Sequence, residues 1–396
     1  MKRLGQVEFI AMSAMMFATI AFSIDSMLPA LPEIGQELTP DDLNAAQLII
    51  TSFVLGMGAG TLITGPLSDA FGRRPIILAG AALYITGATL AWAAGSLELV
   101  LAARVLQGLG ASGPRVVALA VVRDLYAGRG MAKIISFVMM VFTLLPAMAP
   151  TMGAGIIALF GWRGIFAAFV VFSVISVGWF MLRQPETLPP ERRRPLRLNL
   201  LLEAGREVLS SRTVVIAILV QTLIMSTLFM MISSIQQVFD IYFGKGGSFP
   251  FWFGGIALLA GAASFVNARL VMRLGMRFLI RNTVSFQVVA SGVMLVCYGF
   301  DLLPEAARFP VHLLWTISVF AMLGLTIGNL NALAMEPLGH IAGVAASIIG
   351  AVATVLSVVI AAPVGLAFDG TPLPLAAGIF TAITAAWLMF LALPRE

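Results

Sequence analysis

A chain of 396 residues that is 60% hydrophobic and 11% charged, with a mean hydropathy of +0.99, carries more apolar surface than a water-soluble fold can bury; soluble domains are about one quarter charged. Its net charge of +5 and pI near 9.9 raise the question of a nucleic-acid partner, which the placement of the charges answers below. One cysteine, Cys297, excludes an internal disulfide framework, and two histidines at the ends of apolar segments, His312 and His340, lack further ligands at metal spacing.

A helix crosses about 30 Å of hydrocarbon with roughly 20 mainly apolar residues. By that rule spans lie near 9–29, 45–66, 76–95, 99–122, 134–159 and 164–182, and after a polar interval near 213–239, 251–271, 280–300, 311–334, 341–364 and 374–393. The opening MKRLGQVEF and the apolar run behind it look like a signal peptide, but so many further runs follow that it reads as a retained first span. The expected fold is all-α and membrane-embedded, with twelve transmembrane helices. A six-helix half over 1–182 and another over 213–396 flank a linker over 183–212.

Basic residues favour the cytoplasmic loops. With the N-terminus inside, those segments hold Lys2, Arg3, Arg73, Arg74, Arg123, Arg129, Lys133, Arg183, Arg192, Arg193, Arg194, Arg197, Arg206, Arg212, Arg269, Arg273, Arg277, Arg281 and Arg395, which is 19 of the 24 basic residues. The outer loops keep Arg163, Lys245 and Arg308 among acids such as Glu33, Glu37, Asp41, Asp42, Glu98, Asp301 and Glu305. Both termini are therefore expected in the cytoplasm, and the basic pI is a topology signal that needs no nucleic acid. None of the three lysines sits in a phosphate-binding loop, so ATP is not expected to drive the protein, and no cofactor is expected.

Span 1 ends in AFSIDSMLPALPEIG, where Asp25 is the sole charge in the apolar run that begins at Phe9. An intramembrane ionisable group is costly and marks a candidate functional site. Two placements stay open: Asp25 inside a cavity, or in solvated headgroups because Pro29 and Pro32 end the span. Depth favours a partner. Asp25 lies about 6 Å before Pro29 and Arg104 about 9 Å beyond Glu98, both in the outer half, whereas Arg115 lies about 16 Å further in.

Between spans 2 and 3 runs GPLSDAFGRRP, in which Gly65 and Gly72 are expected to permit a tight reversal and Asp69, Arg73 and Arg74 set opposite charges at the helix ends. The stretch resembles the loop signature of the major facilitator superfamily, Gly-x-Leu-x-Asp-x-x-Gly-Arg-Arg. The resemblance implies the major facilitator fold and a loop that braces the two halves in one access state, with Asp69 near the inner end of span 11. Part of the signature repeats 203 residues on: Leu67, Gly72 and Arg74 match Leu270, Gly275 and Arg277, while Asp69 becomes Met272. Homologous halves are a recurrent transporter plan.

Span 4 contains ARVLQGLGASGPR, whose Gly108, Gly110 and Gly113 spell a dinucleotide fingerprint without the strand that motif needs; close helix approach explains them better. Arg104 and Gln107-Gly108 resemble the superfamily's span-4 signature, associated with proton coupling. Arg115 keeps two equal readings, a counter-charge for an anionic substrate or a structural residue reaching the inner surface. In span 5, LLPAMAPTMGAGI, Pro146 and Pro150 disrupt the ladder and Gly153 and Gly155 allow a bend and close packing. It resembles the signature of drug:proton antiporters, with Ala149 in place of a glycine, and it also reads as an ordinary kinked helix.

SIDSMLPALPEIG and NALAMEPLGHIAGVAASIIG resemble the end of span 1 and the passage from span 10 to span 11 in the Bcr/CflA group of bicyclomycin and chloramphenicol resistance exporters. That resemblance implies proton-coupled efflux of amphipathic drugs across the bacterial inner membrane by a monomer, with Asp25 and Arg104 in proton coupling. Candidate cavity residues are Phe22, Arg115, Met225, Gln221, Gln236 and Asn329, each weighed against a helix-packing role. The alternative function on the same fold is transport of a small metabolite. An enzyme would need a nucleophile beside a base or a metal cluster, and the spans offer neither.

Overall fold

The computed structural model describes residues 5–193, 195, 196 and 198–393, and these are helical with no strand among them. Lys2, Arg3, Arg194, Arg197 and Arg395, which bear on the orientation above, lie outside the described residues, as does the Arg129 side chain. The chain divides into two compact units, Met1–Leu198 and Asn199–Glu396.

The first unit contains α1 (Gln6–Asp25), α2 (Leu31–Leu38), α3 (Leu48–Phe71), α4 (Arg73–Ala93), α5 (Leu97–Leu125), α6 (Gly128–Phe160) and α7 (Arg163–Arg183). Within it α5 packs against both α3 and α4, α4 packs on α7, and α1 lies against α5, α6 and α7. Backbones meet closely along α5. A Cβ at Gly108 would overlap the Phe53 carbonyl of α3, and one at Gly110 would overlap the α4 backbone at Tyr84. Small residues let helices associate where the solvent is as apolar as the side chains.

The second unit contains α8 (Leu198–Ser210), α9 (Arg212–Gln237), α10 (Phe249–Leu274), α11 (Met276–Gly299), α12 (Glu305–Met335), α13 (Ala342–Leu366) and α14 (Leu373–Leu391). Its pairings repeat those of the first: α12 packs against α10 and α11, α11 on α14, and α9 against α12, α13 and α14. The short sequence repeat has a backbone counterpart. Gly72, between α3 and α4, has φ 102 and ψ 164; Gly275, between α10 and α11, has φ 80 and ψ 157. Both are left-handed positions that favour glycine.

Eleven helical stretches among the described residues are long and apolar enough to cross a membrane. One of them, Glu305–Leu366, has 62 residues, about three times the roughly 20 that a span needs. A 3-10 segment at Glu336–Ile341, with Leu338 at φ −108 and ψ 21, breaks it into α12 and α13. Helices are the form such segments take because lipid offers no partner for backbone N–H and C=O groups.

The helix α8 differs from these. Ala204 and Val208 are buried while Leu202 and Leu209 are exposed. Val208 joins Val214, Ala217, Ile218, Ala334, Leu338, Ala345 and Ile349 in one core cluster, and His340 Nε2 lies 2.7 Å from Glu207 Oε1. The end of the polar interval is thus packed into the second unit.

Candidate functional site

Asp25 closes α1 but does not end the helical course. A 3-10 turn at Leu28–Ala30 and then α2 carry it to Leu38, so Asp25 is the last of the 20 residues of α1 within a 33-residue stretch, Gln6–Leu38. Pro29 and Pro32 each sit in the first turn of a new helical segment, where a missing N–H costs nothing. Leu28, Ala30, Leu31 and Ile34 beyond it are buried, and Asp25 itself is 5% exposed. These features bury Asp25 in the interior of the protein. No hydrogen bond or ion pair to its carboxyl occurs among the described residues.

Arg104, on α5, is fully buried and makes three hydrogen bonds. Nη2 donates to Ser23 O at 2.9 Å, Nε to Ile49 O at 3.2 Å and Nη1 to Gln107 Oε1 at 2.7 Å. The guanidinium lies 4.3 Å above the Phe53 ring, an arrangement that favours a cation. Ser23 O is among the last four carbonyls of α1, which have no intrahelical partner, and a cation at a helix C-terminus is favourable. The direct Asp25–Arg104 pair expected from depth is therefore not formed. Arg104 reaches the level of Asp25 but bonds the backbone two residues before it. Tyr84 completes the layer: its hydroxyl lies 2.5 Å from Ser23 Oγ, which also bonds Thr19 O.

The other candidates divide. Phe22 is 3% exposed and packs edge-on to Phe169 at 5.4 Å and against Phe172 at 5.2 Å. Its ring thus lies at the contact between α1 and α7. Among the described residues Arg115 makes one side-chain hydrogen bond, from Nη1 to Met57 Sδ at 3.7 Å. In the second unit, Gln221 and Gln236 of α9 are buried with Oε1 atoms that have no partner among the described residues, and Met225 on the same helix is half-buried. Asn329 is buried and donates to Asn267 Oδ1 and Leu325 O, each at 2.8 Å.

The GPLSDAFGRRP stretch forms an ion cluster. Arg73 Nη1 pairs with Asp69 Oδ1 at 2.5 Å and bonds Ser68 Oγ, while its Nε pairs with Asp124 Oδ2 at 2.9 Å. Arg74 Nη2 donates to Met181 O. Gly65 takes no part in the reversal, because α3 runs on through Pro66 to Phe71 and Gly72 alone turns the chain. Glu186, just beyond α7, caps α4: its two oxygens accept the Arg73 and Arg74 N–H groups at 3.0 Å, groups that a helix start leaves unpaired. Burial pushes the Glu186 carboxyl up, and the N–H groups of Leu188, Arg73, Arg74 and Thr187 more than reverse this, leaving it below the ordinary glutamate value.

On α6, Pro146 and Pro150 lie inside a helix assigned without a break, and a Cβ at Gly153 would overlap the Ser26 carbonyl. Gly155 has nothing within 4 Å of its Cβ position among the described residues.

Four features escaped the sequence reading. Glu186 and Asp124 lie among other charges, and Tyr84 resembles any aromatic in a span. His312, expected at a span end, is fully buried in α12 with Nδ1 2.7 Å from Tyr298 Oη, in a ring cluster with Phe239, Phe243 and Trp315.

The layout, two units that repeat one helix pairing, matches known proteins. The Major Facilitator Superfamily profile matches residues 11–363. The uncharacterized MFS-type transporter YdgK of Bacillus subtilis is 30% identical over 382 residues, 94% of this chain and 92% of that protein. The bicyclomycin resistance protein homolog of Haemophilus influenzae is 29% identical over 337 residues, 84% and 82% of the two chains. Among solved structures, a D-xylose-proton symporter shares the fold with a TM-score of 0.77 at 15% identity, covering 98% of each chain. Sequence profile, relatives and fold agree, and the chain belongs to the major facilitator superfamily of transporters.

Proposed function

We propose that this protein is a proton-driven exporter of amphipathic small molecules, including antibiotics, in the bacterial inner membrane. In this reading it has twelve spans in two six-helix halves, 1–182 and 213–396, joined by the linker 183–212, with both termini in the cytoplasm, and it acts as a monomer. The bicyclomycin resistance relative supports export of drugs. The observation that carries proton coupling is Asp25, a carboxyl buried in a membrane-spanning helical run with no partner among the described residues. A lone carboxylate at that depth is costly, and protonation removes the cost.

Asp25 takes a proton from outside in one access state and releases it inside in the other. Arg104, braced by Gln107 at the same level, supplies the positive field that makes the anion tolerable once substrate or water reaches it. Arg115, Met225, Gln236 and Asn329 line the substrate path, the last three offering soft or polar contacts. The Asp69–Arg73–Asp124 cluster, with Gly72 and Arg74, holds the inner ends of the first half in one access state and yields when it changes.

The test is uptake of a panel of amphipathic drugs into inverted vesicles, with and without a protonophore. Energised uptake that the protonophore abolishes is expected. Uptake indifferent to the proton gradient would rule out antiport.

A further inference from the structure

The two membrane-embedded arginines of α5 have opposite surroundings. Arg104 gives three hydrogen bonds to oxygen acceptors and lies over an aromatic ring. Arg115, eleven residues later on the same helix, has the Met57 thioether, at 3.7 Å, as its one hydrogen-bond acceptor among the described residues. Sulfur of that kind is a weak acceptor. No carboxylate lies within ion-pair distance of Arg115 among the described residues.

Position argues against the reading in which Arg115 reaches the inner surface. It is followed by ten further residues of α5, to Leu125, about 15 Å of helix rise. Side chains in a helix lean toward its N-terminus, so the guanidinium swings back, away from that end. Met57, the acceptor it meets, falls at the midpoint of the 29-residue stretch Leu43–Phe71. A cation that never deprotonates in proteins is thus held at mid-span, partly exposed, with most of its N–H donors open.

We propose that Arg115 binds a carboxylate of the transported molecule, so that the substrates are amphipathic acids and zwitterions in preference to simple cations. The inference rests on the exporter reading and names its substrate class. The guanidinium fork matches a carboxylate with two parallel hydrogen bonds, and such a pair is strong only where water is scarce and geometry good. The bound anion supplies the counter-charge that the fold withholds from Arg115. It leaves Asp25, on another helix, free for the proton.

The experiment uses the purified full-length protein and two dyes that differ by one group: rhodamine B, a zwitterion with a free carboxylate, and its ethyl ester, a cation. Binding is followed by fluorescence anisotropy for the wild type, Arg115→Gln and Arg115→Lys, with thermal unfolding of each variant. The wild type is expected to prefer the acid. Arg115→Gln is expected to weaken acid binding by about tenfold or more, to leave ester binding within about twofold, and to unfold no earlier than the wild type. Arg115→Lys retains part of the preference, since it keeps the charge and loses the fork. Equal affinity of the wild type for both dyes overturns the inference and leaves the exporter reading standing. Equal loss of both dyes in Arg115→Gln, with earlier unfolding, assigns Arg115 a structural role and also overturns it. Binding of neither dye by the wild type overturns both readings.

Discussion

Replacing Arg104 by lysine tests whether that residue braces the first unit as well as carrying charge. The guanidinium serves three acceptors on three segments: Ser23 O at the end of α1, Ile49 O in α3 and Gln107 Oε1 in α5. A lysine ammonium keeps the charge and reaches one of them, so two buried acceptors lose their donor. Each buried group left unsatisfied costs about 1–3 kcal/mol, which predicts a destabilisation of about 2–6 kcal/mol. The charge is conserved, so no part of this reflects removing a cation. Denaturant unfolding of the purified protein, compared with the wild type, reads it. A change below about 0.5 kcal/mol, the usual scale of a neutral surface substitution, would refute the bracing argument.

Two further predictions concern the ion cluster. Gly72→Ala places a Cβ at φ 102 and 2.9 Å from Glu186 Oε2, whereas Gly275→Ala meets the backbone penalty alone, with nothing within 4 Å; both should destabilise by about 1–3 kcal/mol, Gly72→Ala the more, as read by thermal unfolding. Glu186 has a folded pKa below its ordinary 4.5, so its stabilisation is complete above that value and is lost as pH falls through the folded pKa. Glu186→Gln should therefore lower stability at pH 6–7 and flatten the fall of melting temperature below about pH 4.5; an unaltered pH profile would show that Glu186 is not the cap.

Much of this was legible because lipid simplifies the code. Apolar runs of spanning length announce helices, and the charges set well inside them, Asp25, Arg104 and Arg115, announce themselves as candidates. Chain position along a helix also gives depth, which correctly set Arg104 level with the end of α1. It does not give azimuth or the acceptor a side chain finds, and the unpaired carbonyl of Ser23 took the guanidinium that a charge-matching argument gave to Asp25. Nor does it show that the Phe22 ring meets Phe169 and Phe172. Gly65 and Gly72 were both expected to permit the reversal, yet α3 runs on through Pro66 and the chain turns at Gly72. Glu186 was hidden by distance: it caps α4 from 113 residues away, in a proline-rich stretch where an acid signals only solubility. One signal was available, a helix start at Gly72-Arg73-Arg74 with no capping side chain of its own.

The central claim is that Asp25 carries the proton exchanged for substrate. Its most direct test is proton release on adding a transported amphipath to proteoliposomes, followed with a pH-sensitive dye, for the wild type and Asp25→Asn. The account predicts substrate-induced proton movement in the wild type and none in Asp25→Asn, while the variant still binds substrate. Proton movement of wild-type size in Asp25→Asn would contradict it.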